Sequence, residues 1–524
     1  MKRFLAIFLI LSLVLPTIAG CAQEDTPHVP TGDALYYEGM ETAPNQDDED
    51  PQELTLAYYA DRSMNPYTCG DFTNRTLFSL IYQGLFSMDS KYNVEPILCS
   101  RYSVSGDNMS YTFYIVDNAT FSDGSRLDIN DVVVSLQTAK ESKYYSGRFT
   151  HVLDISQTSD NGVRFTLNTP YENLPILLDV PIVKAEEVGL ARPLGSGPYY
   201  FEESISGAHL RKNESWWCNI PLAVKASSID LVKAESPAHI RDQFEFYDVG
   251  LVLADPCSDT YADYRCDYEL WDCDNGIFLY IGCNAAFSEV MDDIKFRQVL
   301  TYGINRQLLV EEYYRDYAMP ATLPASPTSP YYSESLAEKY KYDPMKFVDM
   351  VSQLPRPKDP LVLLVNSDDS LRLKAGRAIA DMLTEGGLPT ITKELPTVDY
   401  NKVFNAGTYD MYLGQTRLSP NMDLTPFYHP WGNLSFGGLS DNTLYAMCKD
   451  ALENRGNYYN LHQASVEDGR VVPILFGNYA VYATRGLLTE LTPARDNIFR
   501  YSLGRTMADA RMAAVQPEPE DEDE

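Results

Sequence analysis

The longest apolar run in these 524 residues is short and sits near the start: Phe4 to Leu15, about a dozen residues behind Lys2 and Arg3. A helix that spans a bilayer needs roughly twenty apolar residues. The run is therefore expected to be a removable leader rather than a retained anchor, and the rest of the chain has to fold in water by burying scattered side chains. Hydrophobic residues make up 44% of the chain and charged residues 22%, which is compatible with an ordinary packed core. A chain of this length is expected to divide into several domains.

The leader ends in Thr17-Ile18-Ala19-Gly20-Cys21, and a cationic start, a short apolar stretch and small residues before a cysteine resemble a bacterial lipoprotein signal. That resemblance implies a signal peptide over 1–20, lipidation of Cys21, and a place on the outer face of the cytoplasmic membrane. Residues 21–50 are rich in Pro, Asp and Glu without apolar periodicity and read as a linker between lipid and folded body. An acidic tail over 507–524 closes the chain, with six acids between Glu518 and Glu524. The formal charge of −32 becomes −34 without Lys2 and Arg3, which argues against nucleic acid as a partner because phosphates would be repelled.

Eight cysteines follow Cys21. An exported location permits disulfides, and the close spacing of Cys257, Cys266 and Cys273 would allow a local bridge; free buried thiols are the alternative. Without a CxxC pair or a nearby His, these cysteines are not expected to hold zinc, and no cofactor is expected.

From Glu53 onward strand and helix patterns alternate. Strands are expected at Leu54–Tyr59, Tyr111–Ile115, Ile277–Cys283, Leu361–Val365, Ile391–Leu395 and Tyr409–Leu413. Helical spacing is expected around Leu77–Leu85 after a Thr73 cap, at 128–142 behind Asp128 or Asn130, at 292–304, and at 370–384. Such alternation favours an α/β fold with helices packed on a sheet.

Several segments in order resemble the family 5 extracellular solute-binding proteins, the peptide- and nickel-type receptors of ABC importers. Met64-Asn65-Pro66 resembles the family's entry motif, and Ile81-Tyr82-Gln83-Gly84-Leu85-Phe86 a helix end. Tyr111-Thr112-Phe113, Phe121-Ser122-Asp123-Gly124 and Asp131 to Leu136 form the most specific stretch. Gly195-Ser196-Gly197-Pro198-Tyr199, Asn213 to Trp217, and Asp293 to Leu300 with Gly303 to Arg306 complete the series. Each motif also has a bland physical role: a turn at Gly124, a tight backbone passage at Gly195 and Gly197, a packed ion-pairing arginine at Arg297.

The resemblance implies a bilobed periplasmic-binding-protein-like fold of the three-domain type with two hinge crossings, near Ile281–Asn284 and Val471–Leu475. Domain I of lobe 1 would comprise 51–72, 186–280 and 472–506, domain II 73–185, and lobe 2 (domain III) 281–471. It implies a binding role without catalysis: a peptide or other small solute is trapped by hinge closure and passed to ABC transporter permease subunits. The expected form is a monomer held at the membrane by its lipid anchor.

In the family's peptide receptors an Asp binds the ligand's amino terminus. At the matching place this chain has Ser419, a hydroxyl that accepts a hydrogen bond but brings no charge, while Arg417 beside it would repel an amine and attract a carboxylate or phosphate. Three explanations stay open: Asp423 takes the amine, the ligand has no free amine, or the register slips by a few residues. The candidate ligand-binding residues are Tyr67, Asn284, Arg417, Ser419, Asn421, Asp423 and Trp431.

The main rival class is an exported hydrolase, but the chain has neither a G-x-S-x-G elbow nor an H-E-x-x-H helix, and its six histidines form no recognisable pair. Within the resembled family two other roles remain: a surface receptor for a signalling peptide that does not import it, and a binder of a metal chelate with His429 near Trp431.

Overall fold

The computed structural model describes residues 53–512 apart from 206, 219, 259, 260 and 489. The leader, Cys21, the 21–50 linker and the last twelve residues of the acidic tail lie outside the described residues. The architecture is bilobed α/β, built on an 11-stranded mixed sheet. One half of that sheet runs through Leu251–Ala254, Leu54–Tyr58, Ser228–Lys233, Gly207–Lys212 and Tyr199–Ser204; the other runs through Met411–Arg417, Leu361–Asn366 and Thr390–Leu395.

Two long antiparallel strands, Tyr268–Cys283 and Val471–Thr484, join the halves. Their pairing extends from Tyr268 opposite Thr484 to Gly282 opposite Val471, with a register shift between Asp274 and Phe278. Leu251–Ala254 adds to the second strand at Ala480–Ala483, whereas Met411–Arg417 adds to the first at Ile277–Cys283. Each crossing strand thus contributes to both halves. The expected strand Ile277–Cys283 is only the apolar part of a 16-residue strand.

A separate four-stranded antiparallel sheet, Cys99–Val104, Ser110–Ile115, Val163–Leu167 and Val152–Gln157, carries the helix Ile129–Glu141. That helix starts where a capping box stands: the Asp128 side chain accepts from Asp131 N–H while the Asp131 side chain accepts from Asp128 N–H. Its Val132, Leu136 and Ala139 are buried at helical spacing. Residues 72–81 depart from expectation. They form two short helices, Phe72–Thr76 and Phe78–Ile81, the first capped by Asp71 rather than Thr73, and the chain is extended again by Tyr82.

The family motifs prove to be geometric. Gly124, at φ 80°, closes a turn in which its N–H donates to the Phe121 carbonyl, while the Asp123 carboxylate takes the Ser125 N–H and pairs with Lys184. Asn65 is buried, its amide donating to the Val188 and Leu190 carbonyls. Arg297 is buried and bonds the Met291, Asp292 and Asp468 carbonyls and the Asp468 carboxylate. The local bridge among Cys257, Cys266 and Cys273 does not form: all eight described cysteines are free, and these three thiols contact the Tyr314, Phe244 and Asp274 carbonyls respectively. Residues 507–510, placed in the solvated tail by sequence, form a short helix with a Thr506–Asp509 capping box, and Ala510 is buried.

Candidate functional site

Two cavities of about 350 and 670 Å³ adjoin at Arg75 and Arg417, which line both, and together they make up the chambers of one cleft. One wall comes from the segment 70–84 and the 3₁₀ turn Ser146–Phe149 beside the four-stranded sheet; the other comes from Met411–Arg417 and the loop that follows it. Cys273, Asp274, Asn275 and Tyr479 of the crossing strands line the smaller chamber. The cleft therefore lies where the two halves of the molecule meet over the strands that connect them.

Charge is concentrated in the cleft, where Arg148 and Arg495 are buried while Arg417 and Asp496 stay partly open to solvent. Asp496, held at φ 63° in the segment after the second crossing strand, receives Arg417 at 2.8 Å and Arg148 at 3.3 Å. Arg148 also pairs with Asp179, and Arg417 donates from Nε to the Asn275 carbonyl. Burial alone would raise the Asp496 carboxyl, but the guanidiniums of Arg417, Arg148, Arg75 and Arg495 outweigh it and hold it far below the usual carboxylate range. Burial pulls the Arg148 guanidinium down to about 10. Asp274 is satisfied by hydroxyls and backbone: Tyr92 and Ser326 each donate to it at 2.6 Å, and the Gly276 N–H bonds its other oxygen.

Of the residues singled out from sequence, Arg417, Ser419, Asp423 and Trp431 line the larger chamber together. Trp431 is 89% exposed, its ring at the rim. Tyr67, Asn284 and Asn421 are buried and do not line either chamber. The Tyr67 hydroxyl donates to the Pro181 carbonyl, Asn284 clamps the Gly407 and Tyr409 carbonyls, and the Asn421 carbonyl accepts from the Tyr458 hydroxyl. Sequence reasoning missed Arg75, Lys143, Arg148, His151, Arg495 and Asp496, which converge from distant segments and carry no shared local pattern.

His151 and Asp423 tie the two walls together at 2.8 Å, and Thr425 donates to the same carboxylate from its N–H and hydroxyl. Burial would depress the His151 imidazole, but the bond and charge of Asp423 outweigh it and raise its pKa above the ordinary value. Burial would raise Asp423, and the His151 bond and charge with the Thr425 donors outweigh that and lower it. The His151 contribution to stability is full below about pH 6.5 and is lost as pH rises through the raised value; that of Asp423 is present above about pH 3.9 and is lost as pH falls through the lowered one. The melting-temperature gap between the wild type and His151→Gln is thus expected to be widest between about pH 4 and 6.5 and to narrow on the alkaline side. A gap that stays constant into the alkaline range would show that the pair carries no such linkage.

Among the described residues no cluster of three or more His, Cys, Asp or Glu side chains could hold a metal ion, and no helix is long and apolar enough to cross a membrane.

Two lobes joined by paired crossing strands, with a polar cleft between them, define the architecture of a solute-binding protein. Residues 93–437 match the model of the bacterial extracellular solute-binding proteins, family 5 middle, and the chain belongs to that family. It is 25% identical over 318 residues to the glutathione-binding protein GsiB of Salmonella paratyphi A, a match that spans 56% of this chain and 60% of that relative. In structure it is similar to the ABC transporter substrate-binding protein CtaP of Listeria monocytogenes, with a TM-score of 0.69 and 19% identity over 88% of this chain and 99% of the other. The oligopeptide-binding protein AppA of Bacillus subtilis, in complex with a nonapeptide, aligns with a TM-score of 0.59 and 19% identity over 87% of this chain and 100% of the other. These last two likenesses are likenesses of fold.

Proposed function

We propose that this chain is the lipid-anchored substrate-binding component of an ABC importer, capturing a peptide or related small solute between its lobes. The observation that carries the reading is the cleft itself. Its two walls belong to segments on opposite sides of the crossing strands and already touch through His151–Asp423 and Arg417–Asp496. A solute contacting both walls binds the closed arrangement better than the open one, and that difference in affinity drives closure. Arg417, Ser419, Asp423 and Trp431 are the wall residues assigned to ligand contact, while Cys21 carries the lipid.

The names of the similar proteins, which include glutathione and oligopeptide binders, supply the first solutes to try. A true solute at a hundredfold excess over its dissociation constant adds about 2.7 kcal/mol to the folded state. Thermal unfolding of the purified protein should therefore shift upward in proportion to the logarithm of solute concentration for glutathione or for one pool of short peptides. Absence of any shift with either set, together with turnover of a peptide by the purified protein, would refute the binding role.

A further inference from the structure

We infer that Tyr171, Glu172 and Asn173 form a clasp between the lobes that sets how tightly a solute is held without touching it. The clasp deepens the solute-capture reading and rests on it. These three residues follow the strand Val163–Leu167 of the four-stranded sheet. Their partners across the gap are Tyr331, Asn421, Leu452, Arg455 and Tyr458. All five lie in the chain between the two crossing strands, the part that builds the other half of the large sheet. None of these residues lines either chamber of the cleft.

Tyr171 is the knob of the clasp. It is 2% exposed, and its backbone is fixed on its own side: its N–H donates to the Asn108 carbonyl at 3.1 Å and its carbonyl takes the Tyr111 hydroxyl at 2.5 Å. Its ring packs in the same buried cluster as Tyr331 and Tyr458, whose ring centroids are 4.5 Å apart, and its hydroxyl lies near theirs and the Asn421 side chain. That socket is braced, since the Tyr458 hydroxyl donates to the Asn421 carbonyl at 2.6 Å. Polar contacts surround the knob. The Glu172 N–H donates to the Leu452 carbonyl at 2.9 Å, and the Glu172 carboxylate accepts from the Arg455 N–H at 2.8 Å and pairs with its guanidinium at 3.5 Å. The Asn173 amide donates to the Tyr331 hydroxyl at 3.3 Å. Lobes that part about the crossing strands draw the knob out of its socket, so its burial and these bonds count in the closed form alone. A solute that binds the closed form then has an apparent dissociation constant equal to its intrinsic one divided by the closed fraction, whatever its chemistry.

The test pairs small-angle scattering of the solute-free protein with calorimetric titration of glutathione and of a pool of short peptides. Tyr171→Ala is expected to weaken every probe that binds the wild type by one common factor of at least about tenfold, the scale of an aromatic ring lost from a buried site, and to enlarge the solute-free radius of gyration. Tyr171→Phe keeps the ring and should stay within about threefold of the wild type. Glu172→Arg, at an exposed position, should weaken binding a few-fold, and adding Arg455→Glu should restore it. That rescue separates a clasp from a folding defect at Tyr171. Unchanged scattering with unchanged affinities in Tyr171→Ala overturns the clasp and leaves the capture role standing. Loss for one probe and not the other makes Tyr171 a contact residue and overturns the clasp as well. If neither probe binds the wild type, scattering alone decides: a larger radius for Tyr171→Ala upholds the clasp and equal radii overturn it.

Discussion

Asp496→Ala is expected to destabilise the folded chain by about 1–3 kcal/mol, the range for leaving a partly buried charged group without its partner. The physical reason is not the loss of one attractive contact but what is left behind. Asp496 is the carboxylate between Arg148 and Arg417, and Arg75 and Arg495 also act on its charge. Without it, Arg148 keeps Asp179 and Arg417 keeps the Asn275 carbonyl, but like charges then face one another across the junction of the lobes. Asp496→Asn preserves shape and isolates the charge. Because the folded-state carboxyl is held well below its unfolded value, the stability it supplies is present above about pH 3.9 and lost as pH falls below that. Urea unfolding should show the wild type well above Asp496→Asn near neutrality, with the two converging in acid. Equal stability at neutral pH would mean that the guanidiniums are neutralised by some other route.

Gly197→Ala is expected to cost about 3 kcal/mol or more, at the upper end for overpacking because the obstacle is backbone. An added Cβ would sit 2.5 Å from the Ile81 carbonyl carbon and from the Leu80 oxygen, and neither can turn aside as a side chain would. The Gly197 N–H donates to the Ile81 carbonyl at 2.9 Å, so retreat would break that bond as well. Gly195 is pressed against the same Ile81 carbonyl, which explains the pair of glycines. Gly189→Ala is the control: nothing lies within 4 Å of its added Cβ, and a change under about 0.5 kcal/mol is expected in thermal or urea unfolding. Comparable losses at the two positions would remove the steric account of the motif.

These examples mark where sequence and structure speak the same language. The helix Ile129–Glu141 was legible because its cap, its acidic third residue and its apolar spacing all lie within fourteen residues of Asp128. The first crossing strand was legible only from Ile277 to Cys283, since the preceding Tyr268-Glu269-Leu270-Trp271-Asp272-Cys273-Asp274 mixes charged and apolar residues and extends toward the cleft. The family motifs pointed to the fold and not to the solute, as the buried roles of Asn65 and Arg297 illustrate. Arg417, Ser419, Asp423 and Trp431 were within reach because one short segment carries all four. The arginine cluster was not, because residues 75, 148, 417 and 495 meet only once the chain has folded, and a single arginine in sequence does not say whether it will meet solvent, a carboxylate or a cavity.

The first crossing strand also bears two of the eight unpaired cysteines, Cys283 sealed in the interior and Cys273 buried in the lining of the smaller chamber. Burial pushes the Cys283 thiol up to about 12 and raises that of Cys273 as well. Thiolate is the reactive species, so at neutral pH burial and the raised pKa together slow these sulfurs toward peroxide, metal ions and outside thiols. With the described cysteines all free, the link between the lobes is expected to keep the same covalent structure in aerated and oxygen-free surroundings alike.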